Sequence, residues 1–200
     1  MPPKQKRGEA TVERLLAAAL ELYASPGRRS FTVNAVTDAG DASLGSLYHH
    51  FGSFEGLTVA LYLRWLERLC DRMHEAVFSA RDARQGVRAL VEAYLRFTVE
   101  NPDAAFLLHT FAASGLDEEH VRRIRRAKDE RLAGIMAWVR ERVEAGEIAP
   151  MPGSMIEALA IGPVAEVARR WASDTYDVDL AEAERVLPDR IWRSLRPDPE

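Results

Sequence analysis

A single cysteine, Cys70, stands in 200 residues. It has no partner for an internal disulfide, and no Cys-x-x-Cys or Cys/His spacing offers a structural zinc site; this suits a reducing cytoplasm, the expected location. Strand-like alternation bounded by turn pairs is missing, so a sheet protein is not expected. Long apolar runs are missing as well. Leu15 to Tyr23 is interrupted by Glu21, and Met155 to Ala165 by Glu157, so neither segment reads as a membrane span or a signal peptide. No nucleophile elbow, HExxH or phosphate loop occurs, the histidines lie in separate segments, and no carboxylate pair stands out. An enzyme is therefore not expected, and neither a catalytic residue, a metal ligand nor a cofactor is assigned.

A strong positive charge is also absent, since the net charge is −4. Its distribution is uneven. Residues 1–50 carry Lys4, Lys6, Arg7, Arg14, Arg28 and Arg29 against Glu9, Glu13, Glu21, Asp38 and Asp41, a slight positive balance, and the remainder is acidic. Long-range attraction to a polyanion would be modest, so affinity for one must rest on local contacts and on two copies acting across one site.

What is present is helical periodicity, with 47% hydrophobic residues, enough for a sizeable core. The run Ser43-Leu44-Gly45-Ser46-Leu47-Tyr48-His49-His50-Phe51-Gly52-Ser53 reads as a helix too short to be stable alone. Its small residues, Gly45 and Ser46, suit a close approach to another molecule. Before it, Thr32 to Ala39 gives a two-turn helix with Thr32 as N-cap and Phe31 as the hydrophobic residue preceding it. Gly40-Asp41-Ala42 forms the turn, and Ser43 caps the second helix. Val12, Leu15, Leu16, Ala19 and Tyr23 recur at helical spacing and supply a third helix to cover the apolar side. Two short helices joined by such a turn make a helix-turn-helix, whose second helix enters the DNA major groove.

Residues 10–57 resemble the DNA-binding domain of the tetracycline-repressor (TetR) family of bacterial regulators. The resemblance lies in Leu15 to Tyr23, Gly27, Thr32, the run Gly45 to Ser53, Glu55 and Leu57. Two positions depart from the family pattern: Asp41 occupies the customary turn glycine, and Phe54 stands where many members carry a lysine. Asp tolerates a left-handed turn better than most residues. Without the lysine, the N–H groups at the start of the fourth helix would serve phosphate alone.

The expected fold is all-α. An N-terminal three-helix domain spans residues 1–53, with a disordered arm over 1–8, and a long helix joins it to a helical ligand-binding and dimerisation domain over 54–200. That fourth helix runs from a Ser53 cap to about Ala80, with Leu57, Leu61, Trp65, Leu69, Met73 and Val77 along one stripe. Further helices are expected from Asp82 to Asn101, from Asn101-Pro102, from Asp117 to Ala145, from Ser154 to Ser173 with an interruption at Gly162-Pro163, and from Leu180 to Leu195. Arg122, Arg123, Arg125, Arg126 and Lys128 read as a solvated helix face rather than a second nucleic-acid patch, because Glu118 and Glu119 precede the first two arginines by four residues.

Candidate DNA-binding residues are Thr32, Ser43, Leu44, Gly45, Ser46, Leu47, Tyr48 and His49. Thr32 and Ser43 offer hydroxyls to phosphate, Gly45 and Ser46 admit the helix to base edges, and Leu44 or Leu47 offers a contact to a thymine methyl. The resemblance implies backbone contacts from Tyr48 and His49 and a packing role for His50. Lys4, Lys6 and Arg7 either reach the DNA or form a solvated tail. Candidate ligand-binding residues are Tyr94, Phe97, Phe106, His109, Trp138 and Met155, weighed against ordinary core packing. Candidate dimer-interface residues are Ala158, Leu159, Gly162, Ala165, Ala168, Ala172, Ile191 and Trp192, weighed against completion of a monomer's core. The resulting expectation is a homodimeric repressor that binds a palindromic operator in double-stranded DNA and is released by a small, largely apolar effector, with no membrane association. The alternatives are an activator or protein-controlled regulator of the same fold, or a helical small-molecule binding protein without DNA function.

Overall fold

The computed structural model describes residues 3–25, 31–112, 115–173 and 177–198, without the side chains of residues 3–7. Among these residues there are helices and no strands. Their order is α1 (Pro3–Ala24), α2 (Val33–Ala39), α3 (Leu44–Phe51), α4 (Phe54–Phe78), α5 (Ala83–Glu100), α6 (Pro102–Thr110), α7 (Glu118–Glu144), α8 (Gly153–Ala172) and α9 (Leu180–Leu195).

The starts of these helices follow from capping chemistry. Thr32, Ser43, Ser53, Asp82 and Asp117 each present a side-chain oxygen that accepts an N–H three residues on, from Ala35, Ser46, Gly56, Gln85 and His120 respectively. Each thereby satisfies one of the amides that a helix leaves without an intrahelical partner. Pro102 opens α6 in the first turn, where no N–H is required. Two expectations need correction. Helix α1 begins at Pro3, so the segment expected as a disordered arm is largely helix. Helix α8 runs unbroken through Gly162-Pro163; Pro163 costs one hydrogen bond, which the packing of Val164 and Ala168, both fully buried, offsets.

Two apolar cores result. The first gathers Leu15, Leu16, Ala19, Tyr23, Val36, Leu47, Leu57, Leu61 and Leu107. The second is larger and draws on α4, α5 and α7 to α9, with Leu69, Met73, Leu90, Val91, Trp138, Ile156 and Ile191 among its members. Helix α4 serves both, because its Leu57 and Leu61 face the first core and its Leu69 to Val77 the second. Trp65 lies between and packs against both. Helix α6 does the same in nine residues: Leu107 is buried in the first core and Ala104 in the second. No helix among the described residues is long and apolar enough to cross a membrane.

Candidate nucleic-acid interface

Helix α3 is held by one buried side chain, Leu47, which is completely covered by the first core. Phe51 packs on the same core at the far end, Ser46 is half-buried, and the remaining residues face solvent. Leu44 and Tyr48 are 44% and 45% exposed, large values for such side chains in a helix flanked by packed neighbours. A Cβ added at Gly45 would have only the Ser43 Oγ near it, at 3.8 Å. The surface over Gly45 is therefore open, and the helix backbone can come close to a partner there. The Ser43 Oγ accepts the Ser46 N–H at 3.1 Å and lies 3.0 Å from the Ser46 hydroxyl, so both serines sit at the exposed N-terminal end of α3 with oxygens able to contact phosphate. At the other end, Gly52 caps the helix with φ 75° and donates its N–H to the Tyr48 carbonyl. His49 and His50 are exposed, with ring centroids 5.1 Å apart.

The exposed face so formed has small residues first and Tyr48 and His49 following. Leu47 is a correction: it is core, and of the two leucines proposed for a thymine methyl only Leu44 is accessible. Thr32 is exposed while capping α2. His50 is exposed beside Phe51, with ring centroids 6.4 Å apart. Phe54 packs its ring on Phe31 at 4.9 Å, so the position that lacks the expected lysine anchors the start of α4 to the first core. Lys4, Lys6 and Arg7, whose side chains lie outside the described residues, and Gly27, which lies outside them altogether, have no structural account.

The turn before α3 is also distinctive. Asp41 has φ 45°, in the left-handed region. Arg14 of α1 donates from Nε to the Gly40 carbonyl at 3.0 Å and from Nη2 to the Asp41 carbonyl at 3.1 Å. Sequence reasoning missed Arg14, because bonds reaching 26 and 27 residues along the chain leave no local pattern.

The larger core holds an apolar cavity of about 40 Å³, lined by residues of α4, α5, α7, α8 and α9 that include Leu90, Trp138 and Ile156. Of the six candidate ligand residues, Trp138 lines it. Its indole is seated over Gly86, where an added Cβ would stand 2.3 Å from the ring. Tyr94 and Phe97 are buried in the same core, Phe97 edge-on to Trp65. His109 lies beside Tyr94, and burial, with Arg169 nearby, pushes its pKa from 6.5 to about 4, so its imidazole is neutral at physiological pH. Burial likewise raises the Cys70 thiol to about 11 and the Tyr94 phenol well above its usual range. Two candidates are corrected. Phe106 packs against the first core, beside Tyr23, and Met155 is 51% exposed on α8, away from any interior wall.

On the outer side of α8, Met155, Ala158 and Gly162 are exposed and Leu159, Ala165 and Ala172 half-buried, with half-buried Trp192 on α9. Ala168 and Ile191 are corrections, since the chain's own core covers them. Among the described residues, no group of three or more His, Cys, Asp or Glu is placed to hold a metal ion.

The architecture is thus a small helix-turn-helix domain joined to a larger helical body. Residues 15–61 match the family model described as bacterial regulatory proteins, tetR family. The chain is 38% identical over 86 residues to the transcriptional repressor KstR2 of Rhodococcus jostii, a match covering 43% of this chain and 41% of that protein. It is 27% identical over 173 residues to the transcriptional regulator UidR of Escherichia coli, covering 84% of this chain and 86% of UidR. A TetR-family transcription regulator from Marinobacter aquaeolei superposes with a TM-score of 0.77 at 19% identity, covering 97% of this chain and all of that one. Residues 15–61 thus carry a helix-turn-helix domain of the tetR type, and the chain as a whole has the fold of the TetR-family structure.

Proposed function

We propose that the protein is a repressor that binds a palindromic operator as a homodimer, reads the major groove with α3, and lets go when a small, largely apolar molecule occupies its larger core. The open face over Gly45, between Ser43 and Tyr48, carries the DNA part of this reading, since a helix packed for structure alone would not leave it bare. The repressor assignment draws support from KstR2, itself a repressor. Dimerisation through α8 and α9 is supported by the exposed stripe Met155, Ala158 and Gly162, whose small residues let helices approach closely. The effector's site is the apolar cavity walled by Trp138, where polar groups are few and which must widen from about 40 Å³ to admit a hydrophobic ligand.

Occupation would spread α5, α7 and α8 and tilt α4, which carries that displacement to the first core. Two half-sites one helical turn apart tolerate little change in the spacing of the paired recognition helices, so a small tilt releases the DNA. The test is selection of bound duplexes from a random-sequence pool, followed by sedimentation of the protein with the selected duplex and a release screen with apolar compounds. Recovery of a two-fold-symmetric site bound by two chains, and its release by a compound that also binds the free protein, supports the reading. A monomer on an asymmetric site contradicts it.

A further inference from the structure

The turn of the helix-turn-helix is strained and is held from outside by α1. Among the described residues Asp41 is the one non-glycine residue with positive φ, a backbone state in which an L side chain crowds the following carbonyl. Such a conformation persists only where its surroundings over-determine it. Arg14 supplies that support, its planar guanidinium donating to two successive carbonyls, those of Gly40 and Asp41, at 3.0 and 3.1 Å. Both carbonyls follow the end of α2, where intrahelical donors run out and the helix dipole favours a cation. The neighbouring Leu15 closes the grip sterically: a Cβ at Gly40 would stand 3.2 Å from its Cδ2 and 3.3 Å from its Cα, so α1 lies directly against the turn.

The consequence falls on α3. Leu47 is its single fully buried residue and Phe51 packs on the first core at its far end, so the N-terminal end of α3 is aimed chiefly by the dihedrals of residues 40 to 42. We infer that Arg14 is a positioning residue of the DNA interface, which sets the direction of the recognition helix by clasping the strained turn and does not itself touch DNA. This rests on α3 being the recognition helix.

The experiment compares wild type, Arg14→Lys, Arg14→Met, Asp41→Gly and the double variant Arg14→Met/Asp41→Gly. Affinity for the selected operator and for a mismatched duplex is measured across salt concentrations, and amide exchange of α3 is measured without DNA. Arg14→Met should weaken operator binding about tenfold, narrow the discrimination between the duplexes, leave the salt slope unchanged and speed exchange at Leu47 and Tyr48. Arg14→Lys keeps the charge but cannot bridge two carbonyls in a fixed fork, so it should behave like the methionine variant. Adding Asp41→Gly should restore much of the loss, because glycine adopts this φ without support. Rescue by lysine with a salt slope reduced by about one in Arg14→Met would mark a direct phosphate contact and overturn the inference. Lower thermal stability with discrimination and α3 exchange intact, or no rescue by glycine, would overturn it too. If wild type bound no duplex, the recognition-helix reading would fall, while the exchange measurement would still decide whether Arg14 holds the turn.

Discussion

Phe106 of α6 stands edge-on to Tyr23 of α1, with ring centroids 6.2 Å apart. The contact ties the reading domain to a helix whose other side, through Ala104 and Leu108, packs on the larger core. Phe106→Ala should therefore loosen the N-terminal domain selectively, at a cost of about 2–3 kcal/mol. Hydrogen exchange should show lost protection in α1 with α5 and α7 unaffected. Uniform loss across all helices would mean that the two cores open as one unit.

Tyr48 presents its hydroxyl at the exposed end of α3. Tyr48→Phe should lower affinity for every duplex by about 1.5–3 kcal/mol, the worth of a hydrogen bond to a charged acceptor, without changing site preference. Anisotropy titrations at fixed salt on matched and mismatched duplexes read both quantities.

His109 makes stability depend on pH. Its folded-state pKa of about 4 lies below the ordinary 6.5, so between those values the unfolded chain binds a proton that the folded chain excludes. Stability from this group is complete above pH 6.5, falls by about 3 kcal/mol as pH drops toward 4, and then levels off. Neighbouring Glu166, held at about 2 by hydrogen bonds from Arg169 and Arg170, loses its contribution at lower pH, below its ordinary 4.5. Urea denaturation of His109→Leu should lack the decline between pH 6.5 and 4 that wild type shows.

The Trp138 indole leaves no room for a side chain at Gly86. Gly86→Ala should push the ring into the adjoining cavity, cost about 1–3 kcal/mol in urea denaturation and blunt effector release while operator affinity persists. Unchanged stability together with an intact response would show that neither the ring nor the cavity matters to the switch.

How much of this was legible in the chain differs by residue. Thr32, Ser43 and Ser53 announce helix starts because capping is local chemistry, and the structure places each cap where its hydroxyl implies. Leu44 and Leu47 share a helical face in sequence, yet one is 44% exposed and the other fully buried. The edge of the buried face falls between them, and only docking against α1 and α4 decides where. Phe106 and Met155 look alike as apolar candidates for a cavity wall, but one joins the other core and the other faces solvent. Ala168 and Ile191 were likewise misplaced, because small or apolar residues at helical spacing suit an internal face as well as an interface. The Arg14 clasp was invisible, since it depends on the folded approach of α1 to the turn.

The central claim is that α3 reads DNA through the open surface over Gly45, and Gly45→Trp tests it most directly. The new side chain meets open space in the protein, so thermal stability should be close to that of wild type. In an anisotropy titration with the selected operator, the variant should lose specific binding and retain only weak, salt-sensitive affinity. A folded Gly45→Trp protein that binds the operator as tightly as wild type would contradict the account.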